Sequence, residues 1–227
     1  MPVAGVAPEA AFADRLAAGI GMLKDPTFTL FIFAAGLIQA THSFFYVSGV
    51  LIWTKQQHLS GTTVGLLWNV GVVAEVAFLM LLGGWSAKFR PETLIVAGGV
   101  GAVVRWTALA MLPPVALLVP LQLLHALTFA ATFLGGMRLI QRLHGDARTP
   151  TAQMIYMALA SAPTQAAATL ISGPLYDNFG AKGYLAMTAI AVVGLGLSIL
   201  LWVRAAPVPR QGELALGNAA VGGAGLV

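Results

Sequence analysis

"GVVAEVAFLMLL" occupies Gly71–Leu82 and sets one carboxylate, Glu75, inside a run of apolar residues. "GAVVRWTALAML", Gly101–Leu112, does the same with Arg105. What such a charge means depends on the solvent around it, and composition decides that solvent. Hydrophobic residues make up 58% of the chain and charged residues 9%. Mean hydropathy is +0.85. An average soluble domain carries roughly 25% charge, and a chain of 227 residues cannot hide so much apolar surface from water. The bilayer is the natural solvent, where a helix needs about 20 mostly apolar residues to cross.

Six runs meet that length: Phe28–Trp53, Val64–Leu82, Leu94–Leu112, Val115–Met137, Ala152–Leu175 and Tyr184–Val203. The gaps between them are short and rich in turn residues, among them "GGWSAKFRPE", the Pro113-Pro114 pair and "DNFGAKG". The expected fold is all-α and integral to the membrane, with six transmembrane helices. Residues 1–27 read as a cytoplasmic leader, 28–203 as the membrane domain and 204–227 as a disordered cytoplasmic tail. Phe12, Leu16, Ile20 and Leu23 recur at helical spacing in the leader, which predicts an amphipathic helix on the membrane surface; a plain linker is the alternative.

The net charge of +4 is no nucleic-acid signal, because the basic residues sit in short loops. One set of segments carries Arg15, Lys24, Lys88, Arg90, Arg138, Arg142, Arg148, Arg204 and Arg210; the alternate loops carry only Lys55 and Lys182. The positive-inside rule then puts both termini in the cytoplasm. The first 14 residues lack a basic stretch followed by an apolar one, so insertion is expected to start at the first span. The absence of cysteine excludes disulfides, thiolate zinc sites and cysteine nucleophiles. There is no H-E-x-x-H, G-x-S-x-G or G-x-x-x-x-G-K-[ST]. No enzyme, metal or cofactor is expected.

A charge at a helix centre costs about 2.5–3.5 kcal/mol on insertion, so Glu75 and Arg105 need a partner or a purpose. Each lies about two residues from its span centre, on consecutive antiparallel helices, at a depth offset of about 6 Å. A direct ion pair is expected, either structural or part of a transport path. His125 shares this depth, with Gln122, Thr128 and Thr132 on its face of the helix. His42 lies mid-span between Gln39 and Tyr46, and Gln165 lies mid-span behind Pro163. Alone, each is often interhelical glue. Together, polar groups from several helices at the midplane are what a secondary transporter uses for substrate and coupling ion. Glu75, Arg105, His125, His42 and Gln165 are therefore the candidate pathway residues. Pro120 and Pro163 free the carbonyls of Ala116 and Leu159. Gly98, Gly99 and Gly101 let helices approach closely.

These segments, in this order, resemble the C-terminal half of a major facilitator superfamily transporter, in the lactose and phenylpropionate permease branch of proton symporters. "LKDPTF" is similar to the entry into the seventh span, "NVGVVAEV" to the eighth with Glu75 at its acidic position, and "GAVVRW" to the ninth with Arg105 at its arginine. "LQLLHALTFAATFLGGMRLI" is similar to the tenth, with His125 at its histidine, and "SGPLYDNFG" to the end of the eleventh. The resemblance implies roles in solute binding and coupling for Glu75 and Arg105, and a link between solute and proton for His125. Thr128 stands where the lactose branch has an acid, His42 and Phe45 replace the acids of the seventh span, and Thr164 takes a lysine position. The phenylpropionate branch is nearer, which implies a small organic solute.

Such transporters build their path between two six-helix halves, and one half is recognisable here. The implied function is proton-coupled transport of a small organic solute across the inner membrane, with a second half supplied by a homodimer or a separate chain. The alternative is a non-transporting scaffold subunit or a transporter remnant. Met1 and the leader are compatible with a split gene, a self-pairing half or a remnant.

Overall fold

A computed structural model describes Asp14 and residues 17–205. Every regular element among them is helical. After a short helical stretch at residues 17–22 come α1 (Pro26–Gln56), α2 (Gly61–Ser86) and α3 (Pro91–Ala110). The helical run Val115–Arg204 follows, 90 residues long. A straight helix of that length would measure about 135 Å, far beyond the ~30 Å hydrocarbon core. The backbone divides it at Gly145, with φ 67° and ψ 171°, and at Gly180, with φ 53°. Glycine reaches both conformations without a Cβ clash. The run therefore comprises α4 (residues 115–144), α5 (residues 146–179) and α6 (Tyr184–Arg204). α1, α2, α3 and the final run are all long and apolar enough to cross a membrane.

The helix starts follow from local chemistry. The Asp25 carboxylate accepts from the backbone N–H groups of Thr27 (2.8 Å) and Phe28 (3.4 Å), with Pro26 in the first turn. The Ser60 hydroxyl accepts from Thr63 N–H and opens α2. Between α3 and α4, Leu112 adopts φ 50° before Pro113-Pro114, so the two-proline boundary falls where the sequence places it. Two leader residues can be placed. Gly19 lies against Ile155 of α5, leaving no room for a Cβ, and Ile20 points outward, 52% exposed. Phe12 and Leu16 lie outside the described residues, as does the tail from residue 206.

The core joins α1, α3, α4, α5 and α6 through Phe28, Phe31, Trp53, Trp106, Leu139, Tyr156 and Tyr184. α6 packs on both α1 and α3, and α3 packs on α4. α2 reaches this core near its start, through Val64 and Leu67; it packs mainly against α4 and turns Leu66, Val73, Met80 and Leu81 outward. In water those side chains would be a liability; in lipid they are ordinary. The α3–α4 approach is set by Gly98. An ideal Cβ there would lie 1.9 Å from Thr132 Oγ1 and 2.9 Å from Leu127 O.

Among the described residues, four π segments interrupt the helices: Ile52–Gln56, Phe78–Leu82, Ala126–Ala131 and Met157–Ser161. Pro163 explains the last, since it offers no N–H to Leu159 and the preceding turn widens. Pro120 offers no N–H to Ala116, yet the helix continues through Ala116. A separate irregularity follows, with a turn at Leu124 and the π segment after His125.

Candidate functional site

α1 is interrupted by a turn at Thr41, between Pro26–Ala40 and His42–Leu51, and this turn builds one side of the site. Thr41 donates its hydroxyl to Ile38 O (2.6 Å) and accepts from the Trp106 indole N–H (2.7 Å). This pins α1 to α3 one residue before His42, which is fully buried. His42 Nδ1 faces Gln39 O at 3.0 Å. A carbonyl only accepts, so Nδ1 carries the proton and Nε2 has a free lone pair in the neutral ring. Nε2 lies 3.0 Å from Thr128 Oγ1.

The other side comes from α2, α3 and α4. Arg105 is fully buried. Its Nη1 donates to His125 Nδ1 (3.0 Å) and Thr128 Oγ1 (3.4 Å), and its Nη2 to Gln122 Oε1 (2.9 Å). The guanidinium also lies 5.0 Å from the Phe45 ring centroid and 4.7 Å from that of Trp106, within cation–π range. Arginine has no acceptor, so His125 Nδ1 must accept and its proton sits on Nε2. That nitrogen is 3.3 Å from a Glu75 carboxylate oxygen. The two histidines thus hold opposite tautomers, with ring centroids 5.3 Å apart.

The expected direct Glu75–Arg105 pair is replaced by a chain, Glu75–His125–Arg105. The reason is lateral. His125 projects from α4, which packs on both α2 and α3, and fills the space a direct bridge would need. Of the five candidate residues, Glu75, His125, Arg105 and His42 lie in one connected set with Thr128. Gln165 lies outside it; its carbonyl accepts from Ser43 at 3.2 Å.

A cavity of about 180 Å³ opens on this set, lined by Phe45, Tyr46, Trp68, Gly71, Val72, Glu75, Arg105, Gln122 and His125. Phe45 and Trp68 stack at 4.8 Å, an apolar wall with the Arg105 guanidinium against its Phe45 ring. Two donors on lining residues are buried without a partner, Arg105 Nε and Gln122 Nε2. The amide of Gln122 cannot be flipped, because its oxygen is held by Arg105. Larger cavities lie elsewhere, including one of about 880 Å³ beside Met111 and Lys182, but this one is lined by Glu75, Arg105 and His125 together. Sequence reading noted Phe45 only as standing in for a family acid, and missed Trp68 and Trp106. Aromatics in an apolar run carry no signal of their own, although Phe45 and Trp68 do lie on the expected first and second spans.

A family model, the MFS_1 like family, matches residues 6–209. The chain belongs to the major facilitator superfamily. That superfamily is one of transporters and not of enzymes. It is similar to the probable 3-phenylpropionic acid transporter of Escherichia coli (strain K12), with 28% identity over 167 residues, 74% of this chain and 44% of that protein. The chain thus spans less than half the length of this relative. No solved structure matches it.

Proposed function

We propose that this superfamily member is one half of a proton-coupled transporter for a small organic carboxylate, with the Arg105 cavity as its binding site. The observation that carries this reading is the pair of buried, unpartnered donors, Arg105 Nε and Gln122 Nε2. Buried donors are rarely left unsatisfied; both belong to residues that line one cavity, and an acceptor such as a carboxylate would satisfy them once those side chains turn toward it. The Phe45–Trp68 wall suits an apolar or aromatic body attached to it. The relative's printed substrate, 3-phenylpropionic acid, has both parts.

Complete ligand pockets usually enclose about 300–1,000 Å³. A cavity of about 180 Å³ fits a site whose opposite wall comes from a second half, either a copy of this chain or another protein. Glu75 is 23% exposed and is the group through which a proton reaches the chain. Protonation of Glu75 releases His125, and through it Arg105, toward the anion. α1–α6 each cross the inner membrane, with both termini cytoplasmic. The loop basic residues support this orientation, and extracellular labelling of a cysteine introduced at Arg142 would overturn it.

The test is uptake of 3-phenylpropionate into liposomes containing the chain, with and without a pH gradient. Glu75→Gln is expected to abolish gradient-driven accumulation while keeping part of solute exchange. Unchanged accumulation would make Glu75 a structural residue. No uptake at all by the wild type, with and without added membrane partners, would favour a scaffold.

A further inference from the structure

Thr128 lies at the crossing of the two halves of the site, yet it neither titrates nor lines the cavity. Its single hydroxyl has three neighbours: His42 Nε2 (3.0 Å), Arg105 Nη1 (3.4 Å) and His125 O (3.4 Å). The arginine only donates and the carbonyl only accepts, while His42 Nε2 accepts when neutral and donates when charged. A hydroxyl has one proton and two lone pairs. With His42 neutral, the Thr128 proton goes to Nε2 and the oxygen receives Arg105. With His42 protonated, the proton turns to His125 O, and the oxygen receives both Arg105 and the imidazolium.

We propose that Thr128 is a positioning residue that links the charge state of His42 to the hold on Arg105. In the second arrangement two cations converge on one oxygen, so Arg105 is pushed from α4 toward the cavity. The step is a proton bound at Nε2 and a rotation of one hydroxyl; no other bond changes. The charged and titratable groups facing His42 are His125 of α4, Arg105 of α3 and Tyr46 of its own helix, with Glu75 beyond His125. The π segment Ala126–Ala131 holds Thr128 in place, its N–H bonded to Leu124 O at 2.9 Å. The inference rests on reading Arg105 as the solute's ligand, but its main test does not.

The test uses ¹⁵N-histidine NMR of the full chain in lipid nanodiscs, with Thr128→Val and Thr128→Ser. The chain has four histidines, so assignment by single substitution is practical. At neutral pH, His42 should carry its proton on Nδ1 and His125 on Nε2. The His42 Nε2 resonance should be that of a hydrogen-bond acceptor in wild type and Thr128→Ser, and of a free nitrogen in Thr128→Val. The same tautomer at both histidines, or an unshifted Nε2 resonance in Thr128→Val, overturns the proposal. A second readout is the pH profile of 3-phenylpropionate binding. Wild type and Thr128→Ser should vary roughly tenfold in affinity with pH, the scale of one hydrogen bond to a charged group, and Thr128→Val should vary much less. An unchanged profile in Thr128→Val also overturns it. Absence of probe binding at every pH in wild type refutes the carboxylate site instead, and the NMR result alone then decides the role of Thr128.

Discussion

Replacing Gly98 by alanine tests how the site is held together. The new methyl would lie 1.9 Å from Thr132 Oγ1 and 2.9 Å from Leu127 O. The threonine can rotate its hydroxyl away. The Leu127 carbonyl is backbone in a π segment and cannot, so α3 must retreat from α4. Overpacking of this kind costs about 1–3 kcal/mol. Gly101→Ala is the control on the same helix, because its methyl meets Thr128 Cγ2 at 3.3 Å and Leu127 Cβ at 3.4 Å, contacts that small adjustments absorb. In thermal unfolding of the detergent-solubilised chain, Gly98→Ala should melt below Gly101→Ala by about 2–4 °C for each kcal/mol. Adding Thr132→Ala should recover the part due to the hydroxyl and leave the part due to Leu127 O. The same retreat lengthens the bonds from Arg105 to Gln122 and His125, so 3-phenylpropionate binding should fall with stability. A Gly98→Ala chain that melts at or above Gly101→Ala would refute the claim that this contact sets the α3–α4 distance.

A charge cluster at the end of α3 yields another expectation. Glu92 is fully buried and bound by both terminal nitrogens of Arg142, with Arg90 Nε 3.6 Å away. Arg142→Gln should destabilise by about 3–5 kcal/mol, and Glu92→Gln/Arg142→Gln by less, because the single change leaves a buried carboxylate short of its main partner; denaturation midpoints check both. His144 packs edge-on to Phe28 at 4.7 Å, and burial pushes its pKa below the ordinary histidine value, with Asp25 opposing and Arg148 adding to the effect. The unfolded chain then binds the proton more readily. Stability is present above about pH 6.5 and declines as pH falls from there toward the folded-state value. Melting curves across that range should flatten in His144→Gln.

The helical segments were legible because lipid imposes a length and a polarity that composition reports directly. The two-proline break and the glycines against α4 followed from backbone chemistry. Glu75, Arg105, His125 and His42 stood out because an ionisable group in hydrocarbon is conspicuous. Their connectivity was not legible. Depth along a helix can be counted in residues, but rotation about it cannot be counted as well once a π segment intervenes. Glu75 and Arg105 matched in depth, yet His125 came between them. Gln165 matched in depth and faced elsewhere. Thr128 was read as a missing acid; its hydroxyl bonds both His42 and Arg105, which only three dimensions reveal.

The charge balance of the Glu75–His125–Arg105 chain sets a thermodynamic limit on what such a site can do. One carboxylate and one guanidinium cancel, so the empty site is neutral while both histidines are uncharged. In the proposed proton-coupled cycle, a monovalent anion would bring one negative charge, and a single proton would return the loaded site to zero. The translocated complex would then carry no net charge, and the membrane potential, which does about 2.3 kcal/mol of work per elementary charge per 100 mV, would do none on it. Only the pH difference would drive accumulation, at most about tenfold per pH unit, since one unit is worth about 1.36 kcal/mol.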